Sequence, residues 1–278
     1  MSVFRVFWFL LVVRVIRKVY TCFFTRQVFP SGSLTEPLFY HSVMKYMETP
    51  TTQPISHLGI IMDGNRRWAK EHNLPSIVGH KKGVETLENV GDWCIERGIK
   101  YLTVWAFSTE NWERPKEEVS YLMKLMKEVA ISKVSVFMKK GVRLNILGRL
   151  AELPKDTQEA IQKAIEKTKE NTRVIMNVAI NYGGRNEIVD AIKRIVKEKI
   201  NPETITEQLV GSFMYATGTP EPDLVIRTGG AERTSGFLLW ETPYSEWFFS
   251  SKKWPEFDAD ELDRAIEDFQ GRKRNFGK

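Results

Sequence analysis

The 278-residue chain is 42% hydrophobic, enough to bury one substantial core. Its net charge of +6 is carried almost entirely by Arg5, Arg14, Arg17, Lys18 and Arg26, with no acid among residues 1–30, so a global basic footprint for nucleic acid is excluded. Cys22 and Cys94 form neither a metal spacing nor a disulfide framework, and two thiols in a chain of this size read as a reducing, cytoplasmic compartment.

Residues 1–53 differ in composition from the rest and read as a basic, hydrophobic N-terminal extension. Its longest apolar run, Val6 to Val13, falls far short of the roughly 20 residues needed to span a bilayer, and it has no small-residue cleavage site of a signal peptide. Two readings stand. The segment lies in a membrane interface, drawn to anionic lipid, or it precedes the true start, with Met44 or Met47 leaving a short leader. Residues 54–278 read as a single domain.

From His57 an apolar run stops at Asp63 and is followed at once by Gly64, Asn65, Arg66, Arg67 and Trp68. This predicts a buried strand, a tight turn and a helix start. Free N–H groups there favour an anion, Gly64 admits close backbone approach, and the arginines add charge for phosphate oxygens. Asp63 falls at the strand's carboxyl end, where open α/β sheets bind their ligands. A carboxylate beside a phosphate turn repels it unless a hard cation bridges them, which points to diphosphate with Mg²⁺. On patterning alone, a surface Asp with two solvated arginines fits equally well.

The chain continues with an amphipathic helix over Val84–Arg97, closed by Gly98. A strand over Tyr101–Phe107 and a polar, aromatic loop over Ser108–Pro115 follow. A long helix is expected over Glu117–Lys140, with Val119, Leu122, Met123, Met126 and Val129 on one face. Then come strand Val142–Leu147, helix Pro154–Lys169, strand Val174–Ile180, helix Asn186–Lys199 and a short helix near Thr206–Tyr215. Strands Leu224–Ile226 and Glu246–Phe249 precede a last helix, Asp260–Phe269. Strands alternating with helices imply an α/β fold with a mostly parallel central sheet flanked by helices.

The string from His57 to Lys70 resembles the signature of the cis-prenyltransferases, the family of undecaprenyl diphosphate synthase and the eukaryotic dehydrodolichyl diphosphate synthases. Matches continue in order through Gly79-His80, Ala106 to Trp112, Asn181 to Arg185 and Asp223 to Gly230. The resemblance implies an undecaprenyl diphosphate synthase-like fold. It implies a Mg²⁺-dependent transferase that joins isopentenyl diphosphate to an allylic prenyl diphosphate, acting as a homodimer and giving a long cis-polyprenyl diphosphate.

It also assigns roles. Gly64, Asn65, Arg66, Arg67, Trp68 and His80 match the allylic-diphosphate site; Arg227, Arg233, Thr234 and Ser235 match the isopentenyl site. Asp63 matches a metal ligand that assists departure of the diphosphate, with Glu246 as the second metal carboxylate. Ser108, Thr109, Glu110, Asn111, Trp112 and Arg114 match the loop associated with proton removal. A neutral amide is a poor base, so Asn111 is read as positioning a water or the diphosphate. By residue type alone, His80 is more often a cap or packing residue, and Trp112, Trp240 and Trp254 are more often core.

Ser76 stands where most members carry an Arg, and Ala231 where they carry a Glu, while Arg66 replaces a frequent Gly. These departures bear on substrate affinity. Ala106, small and just before Phe107-Ser108, implies a channel left open to long products. No DDxxD, P-loop or Rossmann fingerprint occurs, and a non-catalytic partner subunit is disfavoured by the intact Asp-Gly-Asn-Arg motif.

Overall fold

A computed structural model describes residues 54–272. The N-terminal extension, with its two readings, lies outside these residues. Six strands form one sheet: β1 (His57–Ile61), β2 (Tyr101–Ser108), β3 (Val142–Leu147), β4 (Val174–Tyr182), β5 (Leu224–Arg227) and β6 (Glu246–Phe249). Their order is β3-β4-β2-β1-β5-β6, and every pairing is parallel. β1 is buried at all five positions, as a central strand covered on both faces should be. The chain builds outward from β1 on one side through β2, then crosses to the other side with β5. Ligand crevices of open α/β sheets form at such reversals.

Eight helices surround the sheet among the described residues: α1 (Asn65–Glu71), α2 (Ser76–Glu96), α3 (Lys116–Ser132), α4 (Val134–Lys140), α5 (Lys155–Thr168), α6 (Gly184–Lys197), α7 (Glu207–Ser212) and α8 (Ala259–Gly271). Leu58, Ile60, Leu102, Val104, Leu224 and Ile226 cluster with Val90 and Cys94 of α2 and with Leu262, Ala265 and Phe269 of α8. Leu144 and Ile180 cluster with Leu122 and Met123 of α3 and with Ile161 and Ala164 of α5. A third cluster joins Ile61 and Val225 to Tyr182, Phe237 and Leu238. His57, fully buried, bonds Pro220 O at 2.6 Å and Thr103 Oγ1 at 2.7 Å. Asn177 donates to the same Thr103 hydroxyl at 3.1 Å, so a polar chain crosses the sheet with its groups satisfied.

Three elements differ from the sequence expectation. α2 begins at Ser76, two turns before Val84. Gly79 and Gly83 hide those turns by their weak helix propensity, yet packing requires both. A Cβ at Gly79 would stand 2.1 Å from Asn65 O, and one at Gly83 would stand 2.5 Å from Asn65 Oδ1 and 2.8 Å from the Trp254 ring. The helix expected over 117–140 is broken at Lys133, where neither Gly nor Pro marks the break. Lys133 instead ends α3 while its side chain reaches Glu88 of α2 at 2.7 Å. The loop after β2 is a 3₁₀ turn, Thr109–Glu113.

Candidate active site

The carboxyl ends of β1 and β5 lie side by side, with Ile61 paired to Arg227, and this juxtaposition builds the site. Beyond β1 the backbone turns sharply: Gly64 has φ +111°, and a Cβ there would stand 2.8 Å from Lys253 Cβ, so glycine is required twice over. The turn is pinned from behind. Asp63 O accepts from Trp254 N at 3.0 Å and from Thr228 Oγ1 at 2.7 Å, while Trp254 Nε1 donates to Gly83 O at 2.8 Å. Trp254 is thus core, as its residue type suggests. The first backbone N–H of α1 to find a partner is that of Trp68, which bonds Gly64 O at 2.9 Å. Those of Asn65, Arg66 and Arg67 precede it, the ordinary state of a helix start.

The Asp63 carboxylate is held between two guanidinium groups. Arg67 Nη2 donates to Oδ1 at 2.9 Å and Arg227 Nη2 to Oδ2 at 3.0 Å. The two cations differ in setting: the Arg67 side chain is 50% exposed and that of Arg227 only 6%. Arg227 also organises the loop after β5, donating through Nη1 to Arg233 O at 2.6 Å and to Ser235 Oγ at 2.8 Å. Arg67 Nη1 reaches Gly229 O. One carboxylate therefore ties the turn after β1 to the loop after β5. Arg233, Thr234 and Ser235 are exposed, and the Ser235 backbone is left-handed at φ +52°. Arg227 thus gathers the Ser235 hydroxyl and the Arg233 backbone carbonyl.

A second carboxylate, which sequence reasoning missed, organises the other rim. Glu118, buried in the first turn of α3, accepts from Arg114 Nη1 at 3.1 Å and lies 3.7 Å from Arg66 Nε and 3.5 Å from His80 Nε2. Burial, and next to it the Arg114 guanidinium, hold the His80 imidazole below its ordinary pKa. His80 is accordingly neutral near pH 7, and the charge of Glu118 is shared between Arg66 and Arg114. The signal for Glu118 was present as an i,i+4 pair with Arg114 across Pro115.

In the loop after β2, Ser108 and Asn111 form a reciprocal capping box, with Asn111 Oδ1 accepting from Ser108 N at 3.2 Å. The Asn111 amide is thereby fixed in orientation. Trp112, 38% exposed, donates through Nε1 to Asn181 Oδ1 at 2.8 Å. Thr109 packs against Gly183, where a Cβ would come within 2.7 Å of its hydroxyl, while Glu110 is exposed. Trp112, Arg114, Lys116 and Met123 line a cavity of about 450 Å³ beside this loop.

Glu246 stands apart from Asp63 within one copy of the chain. It opens β6, paired with Leu224 at the amino end of β5, and accepts from Arg272 at 2.7 Å. Asp63 follows the opposite, carboxyl end of the sheet. At about 3.3 Å per residue, the strands hold the two carboxylates apart, so one copy of the chain does not bring both to one ion. No group of three or more acidic, His or Cys side chains suited to a metal occurs among the described residues. Asp63 remains the carboxylate that the crevice offers to a cation, with its oxygens now on arginines.

A family model for undecaprenyl diphosphate synthase matches residues 61–277. The chain is 46% identical over 225 residues to an isoprenyl transferase of Clostridium perfringens, covering 80% of this chain and 89% of that one. Among solved structures it is similar to lavandulyl diphosphate synthase from Lavandula x intermedia in complex with dimethylallyl diphosphate, with TM-score 0.78, 32% identity, and 81% and 99% of the two chains covered. It is likewise similar to a probable undecaprenyl diphosphate synthase from Campylobacter jejuni, with TM-score 0.70, 34% identity, and 81% and 100% covered.

Proposed function

The chain belongs to the undecaprenyl diphosphate synthase family and is a cis-prenyltransferase acting on prenyl diphosphates, and on that premise we propose that it condenses isopentenyl diphosphate with an allylic prenyl diphosphate, with Mg²⁺, to a long cis-polyprenyl diphosphate. The observation that carries this reading is Asp63 clamped between Arg67 and Arg227. A reaction between two diphosphates needs two cationic clusters close together, and here one acid joins them.

The allylic diphosphate is assigned to the turn Gly64–Arg67, with Arg66, Arg67 and His80 around it. The isopentenyl diphosphate is assigned to Arg227, Arg233 and Ser235. Arriving phosphate oxygens compete with Asp63 for Arg67 and Arg227, so substrate binding frees the carboxylate. Asp63 would be the residue to hold Mg²⁺, which when bound would supply charge stabilisation to a departing diphosphate. Arginines fixed in place before the bond breaks stabilise the charge that develops on the leaving group, at little reorganisation cost. Neutral His80 donates or accepts a hydrogen bond without adding a net charge. Asn111, held by Ser108, orients a water or the departing diphosphate, which takes the proton lost from the five-carbon unit.

A homodimer is supported by an exposed apolar stripe on α6. Val189, Ile192 and Val196 are 44%, 51% and 70% exposed, and Leu239 beside the N-terminus of α6 is 44% exposed. No helix among the described residues is long and apolar enough to cross a membrane, and attachment at a membrane surface rests on the N-terminal extension. The test is incubation of the purified full chain with labelled isopentenyl diphosphate and allylic primers of several lengths, with Mg²⁺ or with chelator, followed by sizing of the products. Metal-dependent long products are expected. Absence of incorporation with every primer would overturn the proposal.

A further inference from the structure

Away from the diphosphate clusters, α2 and the α3–α4 pair run side by side over the sheet with an apolar seam between them. Leu87 and Gly91 of α2 face Val129 and Phe137 across it, above Val142 and Met176 of the sheet. Space is left at Gly91, where a Cβ would only just touch Met176 at 3.5 Å. The seam nevertheless encloses only about 30 Å³, room for one or two waters, which is far less than a chain of ten isoprene units occupies. A long product lodged between these helices requires them to part.

What holds them together is ionic as well as apolar. Lys133 at the α3–α4 break lies 2.7 Å from Glu88, and Lys140 at the end of α4 lies 2.6 Å from Asp92. Both pairs cross the seam, and the two acids are one turn apart on α2. Along that helix, Glu88 and Asp92 lie roughly 12 Å and 18 Å beyond His80. A chain anchored at the diphosphate turn meets them only after several additions. All four side chains are between 29% and 42% exposed, so salt screens the pairs.

We propose that Glu88–Lys133 and Asp92–Lys140 form a two-rung clasp that sets product length: it leaves early additions untouched and opposes the helix separation that later ones need. The proposal rests on the polyprenyl synthase reading above and assigns to four side chains a role in specificity, not in chemistry. Lys133 occupies the one-residue break between α3 and α4.

Two partly exposed pairs together shift the opening equilibrium by roughly two- to thirtyfold. The test compares wild type with Lys133→Met/Lys140→Met, which keeps the side-chain stems and removes the charges. Product lengths and the rate of the first addition are read at low and high salt. The double variant is expected to give longer products and faster late additions by that factor, with an unchanged first addition, which also shows that it is folded. High salt should lengthen the wild-type products and leave those of the variant alone. Exchanging the charges in Glu88→Lys/Lys133→Glu should restore the wild-type length, which a packing role alone would not. Normal incorporation with unaltered product lengths in the double variant overturns the clasp and leaves the enzyme reading standing. Failure of the wild type to incorporate isopentenyl diphosphate overturns both.

Discussion

Replacing Asp63 separates its chemical from its structural part, because the structure gives it both. Asp63→Ala removes the counter-charge from Arg67 and Arg227 and the acceptor from two charge-assisted hydrogen bonds. Arg67 is half exposed, so its share sits near the small surface value. Arg227, 6% exposed, is left as an uncompensated buried cation, which costs about 3–5 kcal/mol where both partners are buried. Asp63 itself is 30% exposed, which reduces this to about 2 kcal/mol. For a domain of this size that is a fall of roughly 4–8 °C in Tm. Turnover should fall further, on the order of 10³-fold or more, if the carboxylate supports the departing diphosphate as proposed. Asp63→Asn keeps an acceptor for one arginine and should lose less Tm at a similar loss of rate. Calorimetry paired with labelled isopentenyl diphosphate incorporation at saturating Mg²⁺ measures both. More than a tenth of wild-type turnover in Asp63→Ala would refute the chemical role, and an unchanged Tm would refute the clamp.

Burial lowers the His57 pKa from 6.5 to about 4, so below pH 6.5 the unfolded chain takes up a proton that the folded one does not. Stability attributable to this residue declines as pH falls from about 6.5 to about 4, by about 3 kcal/mol in all. His57→Gln should remove that part of the slope, checked by urea midpoints of both proteins from pH 7 to 4.5. Glu118 supplies the influences that raise the His80 pKa against burial and two arginines, so Glu118→Gln should lower it further, a shift that NMR titration of the imidazole would detect. Ala106 is exposed at the bulge where β2 slips against β4. Ala106→Leu should shorten the products while sparing the first addition, since crowding of roughly 1–3 kcal/mol falls on long intermediates; wild-type product lengths would show that Ala106 does not face the channel.

The strands were legible because each is a short apolar run closed by turn residues, and the parallel sheet followed from their alternation with helices. Boundaries failed where packing overrode propensity. Gly79 and Gly83 look like breaks, yet they sit inside α2 because Asn65 and Trp254 press against them. Lys133 looks like ordinary helix, yet it ends α3 where its charge is needed across the seam. Sites followed the same division. Asp63, Arg67 and Arg227 were readable because strand ends in a parallel sheet converge, and the structure adds that they bind one another. Glu118 was passed over because sequence does not show two arginines and an imidazole arriving from α1, the β2 loop and α2. Glu246 stands apart from Asp63 within one chain because it opens its strand instead of closing it, which in an all-parallel sheet puts it at the opposite edge. Convergence on the carboxyl edge therefore identifies candidates in this fold, and the partner each charge finds there decides what it does. On the proposed reading the arginines of Asp63 leave it for a diphosphate, whereas Glu246, held by Arg272 at the far edge, has no such exchange within one chain.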